Sequence, residues 1–512
     1  MTTPSRLVGA LAFAGSATLT GCGSDGGSSS SGTSANPAFD AAPNEPRAQD
    51  ARVFTVNEAA LRATLGSTNA ADYAGHGAFL PLPGSDTDRW VGVLGGAAYQ
   101  VEVPRNWNGQ LVMYAHGYRG EGAALTVSPP SIRKYLVDNG YAWAASSYSK
   151  NFYDVRAGVE DTNALALAFT RIAANNGRRL ADPTRTYITG HSMGGHVTGA
   201  AIDAENIATA NNKVRYDGAV PMCGVLGDTE LFDFFGAYQV AAQQIAGQPA
   251  TSWPVPNYAA IDPSIRSALF VSFPAGTTPG VVTPAGAQLR DIVKNLTGGQ
   301  RPNFETGFSL PSGNTGTVWG TFGRDGTVNG ILGKDGVDTT RFVYQFDNDP
   351  ALSSAEQQFN AAAFRVRGDP SANRLRNDGL RWIPKTNGQF SIPVVSIHTL
   401  GDMYVPFSME QIFKRRADAL GTSGNLVQRA IRGVTHCDFT LPEQEEAFAD
   451  MVRWVRSGAK PLGDDVLTPS VVADANYGCR FSRGPRADDS AGVRALRGLV
   501  PACPAGSGSP NF

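Results

Sequence analysis

Residues 187–197 read YITGHSMGGHV. Tyr187, Ile188 and Thr189 favour an extended strand, and VTGAAIDAENIATA (197–210) suits a helix. Between them Gly190-His191-Ser192-Met193-Gly194 is a G-x-S-x-G pentapeptide. A sharp, strained strand-to-helix turn needs Gly190 and Gly194 because a Cβ there would strike neighbouring backbone. Such a turn lifts Ser192 to a helix N-terminus, where partial positive charge favours a developing oxyanion. The stretch therefore predicts a nucleophilic serine on an α/β scaffold.

The surrounding chain fits that scaffold. Runs rich in Val, Ile, Tyr and Ala recur at 99–104, 110–118, 141–148, 186–192, 216–224, 392–402 and 426–434. The later ones are nearly continuous apolar strands, as in a parallel sheet buried on both faces. Between Tyr148 and Thr186, VEDTNALALAFTRIAANN has helical spacing, with Asp161 or Thr162 as the expected cap. The pattern is that of a doubly wound, mostly parallel α/β sheet. From 225 to 390 the strand rhythm stops. LFDFFGAYQVAAQQIAG, PSIRSALFVSF, AQLRDIVKNLTGG and SAEQQFNAAAFRV read there as helices between Pro/Gly loops. A large helical insertion at this point is expected over the carboxyl edge of the sheet, as a cap.

A serine elbow of this kind requires an acid and then a histidine further along the chain. Of the six histidines, His76 and His116 lie upstream, His191 and His196 flank the elbow, and His398 precedes the candidate acid on its own strand. Only His436, in RGVTHCDFT, lies downstream of an acid that ends a strand. That acid is Asp402 in HTLGDMYVP, with Asp228 and Glu230 as rivals. The anion hole is expected from the Met193 N–H and, in AHGY, from the Tyr118 N–H, with Gly117 letting the backbone turn. The simpler reading of Tyr118 is a ring packed under the cap.

HGY (116–118), GHSMGGH (190–196), GDMYVP (401–406) and GVTHC (433–437) together resemble the α/β-hydrolase superfamily of serine esterases and related hydrolases. The resemblance spans about 101–224 and 392–454. It implies an acyl-enzyme mechanism with Ser192 as nucleophile, His436 as base, Asp402 as its orienting acid, and no cofactor. The His-Cys pair at 436 and 437 is similar to one in tannase and feruloyl esterase relatives, where the cysteine bridges to one beside the nucleophile. Here His191 occupies that neighbouring position.

The N-terminal segment adds a location. Leu7 to Leu19 is apolar, follows Arg6 and runs into Thr20-Gly21-Cys22, too short to span a bilayer but suited to a secretory signal. LTGC resembles the lipobox of bacterial lipoproteins, which implies lipidation of Cys22 and a cell-envelope location. GSDGGSSSSGTSANP then reads as a flexible tether. In an exported protein the four remaining cysteines are expected to bond. Cys479 and Cys503 bracket a Gly/Pro/Arg-rich tail and are paired, which leaves Cys223 with Cys437; four free thiols are the alternative.

The expected organisation is a signal peptide at 1–21, lipidated Cys22 and tether to 50, hydrolase core at 51–224, helical cap at 225–390, core again at 391–460, and an extension at 461–512. A net charge of -2 without a basic stripe argues against nucleic acid. Asp347, Asp349, Glu356 and the Asp-Gly turns at 325 and 335 fit no EF-hand loop and read as turns, and no metal is expected. The partner expected is a small or oligomeric ester, with the membrane reached only through a lipid anchor. An amidase or peptidase with the same residues, or a non-catalytic surface-binding lipoprotein, are the competing readings.

Overall fold

The computed structural model describes residues 45–274, 276–310, 325 and 327–503. The signal segment, Cys22 and the glycine-serine stretch lie outside these described residues. Eight strands form the central sheet: β1 (Thr87–Leu94), β2 (Ala97–Pro104), β3 (Gln110–Ala115), β4 (Ala142–Ser146), β5 (Arg185–His191), β6 (Gly218–Met222), β7 (Val394–Thr399) and β8 (Leu426–Ile431). Their order is β1-β2-β4-β3-β5-β6-β7-β8. The pairs β1/β2 and β2/β4 are antiparallel and every later pair is parallel.

Seven strands coincide with the apolar runs, because β3, β4, β6, β7 and β8 are buried along their whole length and need apolar or well-bonded side chains on both faces. The remaining strand, β1, is half-exposed at the sheet edge, and its sequence TDRWVGVL carries no continuous apolar signal. Helix α1 (Val155–Asn175) crosses from β4 to β5. It starts earlier than expected, and this corrects the cap. The Asp154 carboxylate accepts from the Ala157 N–H, while Thr162 is buried mid-helix and Asp161 instead accepts from the Ser149 N–H at 2.6 Å.

Helix α2 (Met193–Ala201) follows β5 directly. The chain leaves β6 into the long insertion, which contains α3 (Glu230–Ile245), the helices Tyr258–Leu269, Pro284–Leu296, Phe304–Ser309 and Ser354–Ala362, and a two-stranded pair. It returns on β7, the neighbour of β6 in the sheet. Phe234, Tyr238, Ile265 and Leu289 of the insertion join one continuous core with Met113, Ile188, Phe169 and Val197. The insertion is thus packed onto the α1/α2 side. The opposite sheet face is covered by α5 (Leu441–Ser457), whose Phe448 and Met451 pack with Tyr187, Val220 and Val395. Between β7 and β8 runs α4 (Ser408–Ala419).

Both chain ends are docked within the described residues. Gln49, placed in the tether by composition, is buried and donates to the Asn151 carbonyl and the Asp154 carboxylate. The C-terminal extension packs Val500 against Leu310 of the insertion and Val434 of the core. Arg497, itself buried, donates to the main-chain oxygens of Arg432 and Asp438 and to Glu443, so it grips the loop after β8.

Two disulfides close, Cys223–Cys437 and Cys479–Cys503. Both pairings are those expected from the sequence, and they suit an oxidising compartment outside the cytoplasm. No helix among the described residues is long and apolar enough to cross a membrane.

Candidate active site

Ser192 caps α2 with φ 58° and ψ -123°, backbone that a residue with a Cβ adopts only when its surroundings enforce it. The enforcement is visible at the two glycines. A Cβ on Gly190 would lie 2.3 Å from the Gly194 carbonyl oxygen, and one on Gly194 would lie 2.0 Å from that of Ala115. The elbow therefore exists because β3, β5 and α2 meet without side chains between them.

His436 stands in the loop after β8 with Nε2 at 2.7 Å from Ser192 Oγ and Nδ1 at 2.6 Å from Asp402 Oδ2. Asp402, fully buried just beyond β7, takes the Tyr404 and Val405 N–H groups on Oδ1, each at 2.9 Å. Its other oxygen is thereby aimed at the imidazole. The sequence-derived trio is brought together, each from the carboxyl end of a different strand. The rival acids are occupied elsewhere: Asp228 pairs with Arg416 at 2.6 Å, and Glu230 pairs with Arg416 and Arg341.

The upstream histidines are structural. His191 lies against Gln444 and Tyr114, and burial holds it down at about 4. His196 bonds Tyr153 and the Pro384 carbonyl and is held at about 4, again chiefly by burial. His116 stacks on Tyr148 at 4.0 Å between ring centroids, and burial pulls it to about 3. His76 receives the Val127 N–H.

Gly117, Tyr118, Ser192 and His436 line one cavity of about 480 Å³. Leu231, Phe232 and Phe235 of α3 and Val328 supply the insertion's share of the wall, with Tyr153, Val225, Tyr404, Val405 and Cys437 completing it. A Cβ on Gly117 would approach Ser192 Cβ to 3.2 Å, so the loop at 116–118 runs close against the elbow. Tyr118 is 41% exposed and lines the cavity together with residues of the insertion. The Tyr153 hydroxyl is engaged by His196.

Cys437 follows His436, and its bond to Cys223 ties that loop to the end of β6. Cys223, His436 and Cys437 form a grouping tight enough for a metal, but two of its three members are joined to each other. The acidic stretch at 347–356 closes turns: Asp347 accepts from the Asp349 N–H, Asp349 from the Ala351 N–H, and Glu356 forms a capping box with Ser353. Sequence reasoning left His398 and Glu410 unassigned. They sit behind Asp402, with His398 Nε2 at 3.8 Å from Asp402 Oδ2 and Nδ1 at 3.3 Å from Glu410 Oε1. The signal for them was faint: a histidine and a serine on an otherwise apolar buried strand.

The strand order, the parallel run from β4 onward and the serine elbow after β5 are those of the α/β-hydrolase fold, and the chain has that fold. No family model and no curated protein matches the sequence. Among solved structures, the chain is similar to acylaminoacyl peptidase from Pyrococcus horikoshii (11% identity, 75% of this chain and 44% of that one, TM-score 0.36). Feruloyl esterase B from Aspergillus oryzae aligns with 14% identity over 75% of this chain and 86% of that one, TM-score 0.36. Esterase 2 from Thermogutta terrifontis aligns with 12% identity over 74% and 98%, TM-score 0.34. The chain spans less than half the length of the peptidase, and likenesses this distant carry no functional argument.

Proposed function

We propose that the protein is a serine hydrolase of carboxylic esters, exported and lipid-anchored through Cys22. The observation that carries the reading is the relay from Asp402 Oδ2 through His436 to Ser192 Oγ, at 2.6 and 2.7 Å, opening into an apolar cavity. His436 takes the Ser192 proton as Oγ attacks the carbonyl carbon, and the Met193 and Tyr118 N–H groups receive the oxyanion. The same imidazole gives its proton to the leaving alcohol. Water, deprotonated in turn by His436, then hydrolyses the acyl-enzyme and restores the serine.

The wall residues support an uncharged, partly aromatic acyl or alcohol group. Tyr118, Tyr153, Phe232 and Phe235 face it, and His436 is the sole ionisable group besides the tyrosines among the described lining residues. Soluble aromatic esters or short oligomers suit a recessed, apolar-walled site better than a flat polymer does. An amidase or peptidase using the same trio is the second reading, and a surface-binding lipoprotein the third.

The test is labelling of the chain from residue 45 by a fluorophosphonate, with turnover of p-nitrophenyl esters and matching anilides, beside Ser192→Ala. Ester turnover and labelling that vanish in the variant are expected. Faster anilide cleavage would install the amidase reading, and an unlabelled folded protein the binding one. Metabolic labelling with a radioactive fatty acid, lost in Cys22→Ser, tests the anchor.

A further inference from the structure

We infer that His398 serves as a buried imidazolium that positions the acid end of the relay and sets the pH range over which His436 serves as base. The inference rests on the catalytic reading of Ser192, His436 and Asp402. Its geometry, however, stands apart from it.

His398 lies on β7 with no exposed surface, and both ring nitrogens face oxygen atoms, one of a main-chain carbonyl and one of a carboxyl group. Nε2 is 2.7 Å from the Val405 carbonyl, so Nε2 carries a proton. Nδ1 faces Glu410 Oε1 at 3.3 Å. The other oxygen of Glu410 accepts from the Ser396 hydroxyl at 2.6 Å and from the Gln428 amide. Two donors on one oxygen favour the carboxylate form of Glu410, whose remaining oxygen then accepts from Nδ1 and requires a proton there as well. An imidazole that donates from both nitrogens is charged.

Burial opposes that charge, but the hydrogen bond and negative charge of Glu410, the charge of Asp402 and the Val405 carbonyl outweigh it, so His398 titrates above its ordinary range. From the insertion, Arg301 enters the same cluster. It is buried, donates to the Leu400 carbonyl, and though burial pulls it down to about 9 it stays charged at neutral pH under the influence of Asp402. Two cations, His398 and Arg301, thus face two carboxylates, Asp402 and Glu410. The reacting imidazole lies just beyond, and it must become a third cation during attack.

Two consequences follow. His398 fixes the turn at 402–405 through the Val405 carbonyl, and that turn supplies the N–H groups that orient Asp402. Its charge also disfavours a proton resting on His436 before substrate arrives, which extends activity to lower pH. A purely structural histidine would do the first and not the second.

The experiment has two arms. In Ser192→Ala protein labelled with ¹⁵N-histidine, one of the six side chains should keep both ring nitrogens protonated above the pH at which an ordinary imidazole loses its proton, and that signal should vanish on adding His398→Gln. In the active enzyme, His398→Gln keeps a donor for Val405 but removes the charge. Loss of the cation eases proton uptake by His436, so the acid limb of the kcat/KM profile should move up by about one pH unit. A neutral His398 in the first arm, or an unmoved limb in a folded variant, overturns the inference. Should Ser192→Ala retain turnover, the catalytic reading fails while the nitrogen signal still reports on His398.

Discussion

Arg497, in the C-terminal extension, donates to the main-chain oxygen of Asp438, two residues beyond His436, at 2.6 Å. The same guanidinium pairs with Glu443 at 2.7 Å, and neither side chain has more than 2% of its surface exposed. Cutting a buried pair on one side strands the other charge, at a cost of about 3–5 kcal/mol. Arg497→Ala is expected to lower the thermal midpoint and to slow ester turnover at temperatures where the protein stays folded. Circular dichroism melting beside a rate assay separates the two, and an unchanged rate in the folded variant would detach the extension from the site.

Asp402→Asn should leave the fold intact and reduce kcat by about 10⁴-fold. The Tyr404 and Val405 N–H groups hold an acceptor at the Oδ1 position, so the amide must present its NH₂ to His436 Nδ1. The imidazole is then forced to keep its proton on the nitrogen facing Ser192, where it cannot act as base. Stopped-flow turnover of a p-nitrophenyl ester measures the loss, and a fall under tenfold would point to another acid.

The elbow glycines divide by what surrounds them. Gly194→Ala drives a Cβ to 2.0 Å from backbone oxygen, and little folded protein is expected. Gly117→Ala meets Ser192 Cβ at 3.2 Å and the His191 carbonyl at 3.3 Å, contacts the loop relieves by moving a few tenths of an ångström. That variant should fold and lose mainly kcat, because displacement falls on the oxyanion loop. Soluble yield and steady-state kinetics of the pair decide it.

Phe235→Ala removes an aromatic wall of the cavity. Burying such a ring against substrate is worth about 1.5–3 kcal/mol, so KM for an aryl ester should rise by about tenfold or more, with KM for acetyl esters little changed. Equal effects on both substrates would show that Phe235 acts on the fold alone.

Opening Cys223–Cys437 releases the loop carrying His436 from the end of β6. Cys437→Ser, with residue separation 214 between the partners, is expected to cost about 2–5 kcal/mol of stability. Turnover should fall further than the unfolded fraction explains. Denaturant melts with parallel assays on the folded population provide the comparison.

What the sequence made legible follows from where the physics is local. Buried parallel strands announce themselves as apolar runs, and the order Ser192, Asp402, His436 is preserved in any geometry that lets them meet. Strand β1 was missed because its half-exposed edge position tolerates TDRWVGVL. The α1 start was misplaced because Asp154 stands before residues without clear periodicity, while Asp161 resembles a cap and serves Ser149 instead. The partnership of His398 with Glu410 depends on α4 folding back over β7, and the grip of Arg497 on the histidine loop depends on an irregular tail. Neither has a spacing to betray it.

The insertion departs from β6 and comes back on β7, and Ala219 and Val394 of these strands are paired. Because the two strands run parallel, the insertion leaves at the carboxyl edge of the sheet and re-enters at the amino edge of the adjacent strand, so both of its ends are fixed to neighbouring strands and the segment between them behaves as an exchangeable cassette. A grafted replacement could reshape the substrate chamber while the hydrolytic parts stay in place. Arg301, which donates to the Leu400 carbonyl, and Glu230, which pairs with Arg416, are among the contacts that such a transplant would have to reconnect.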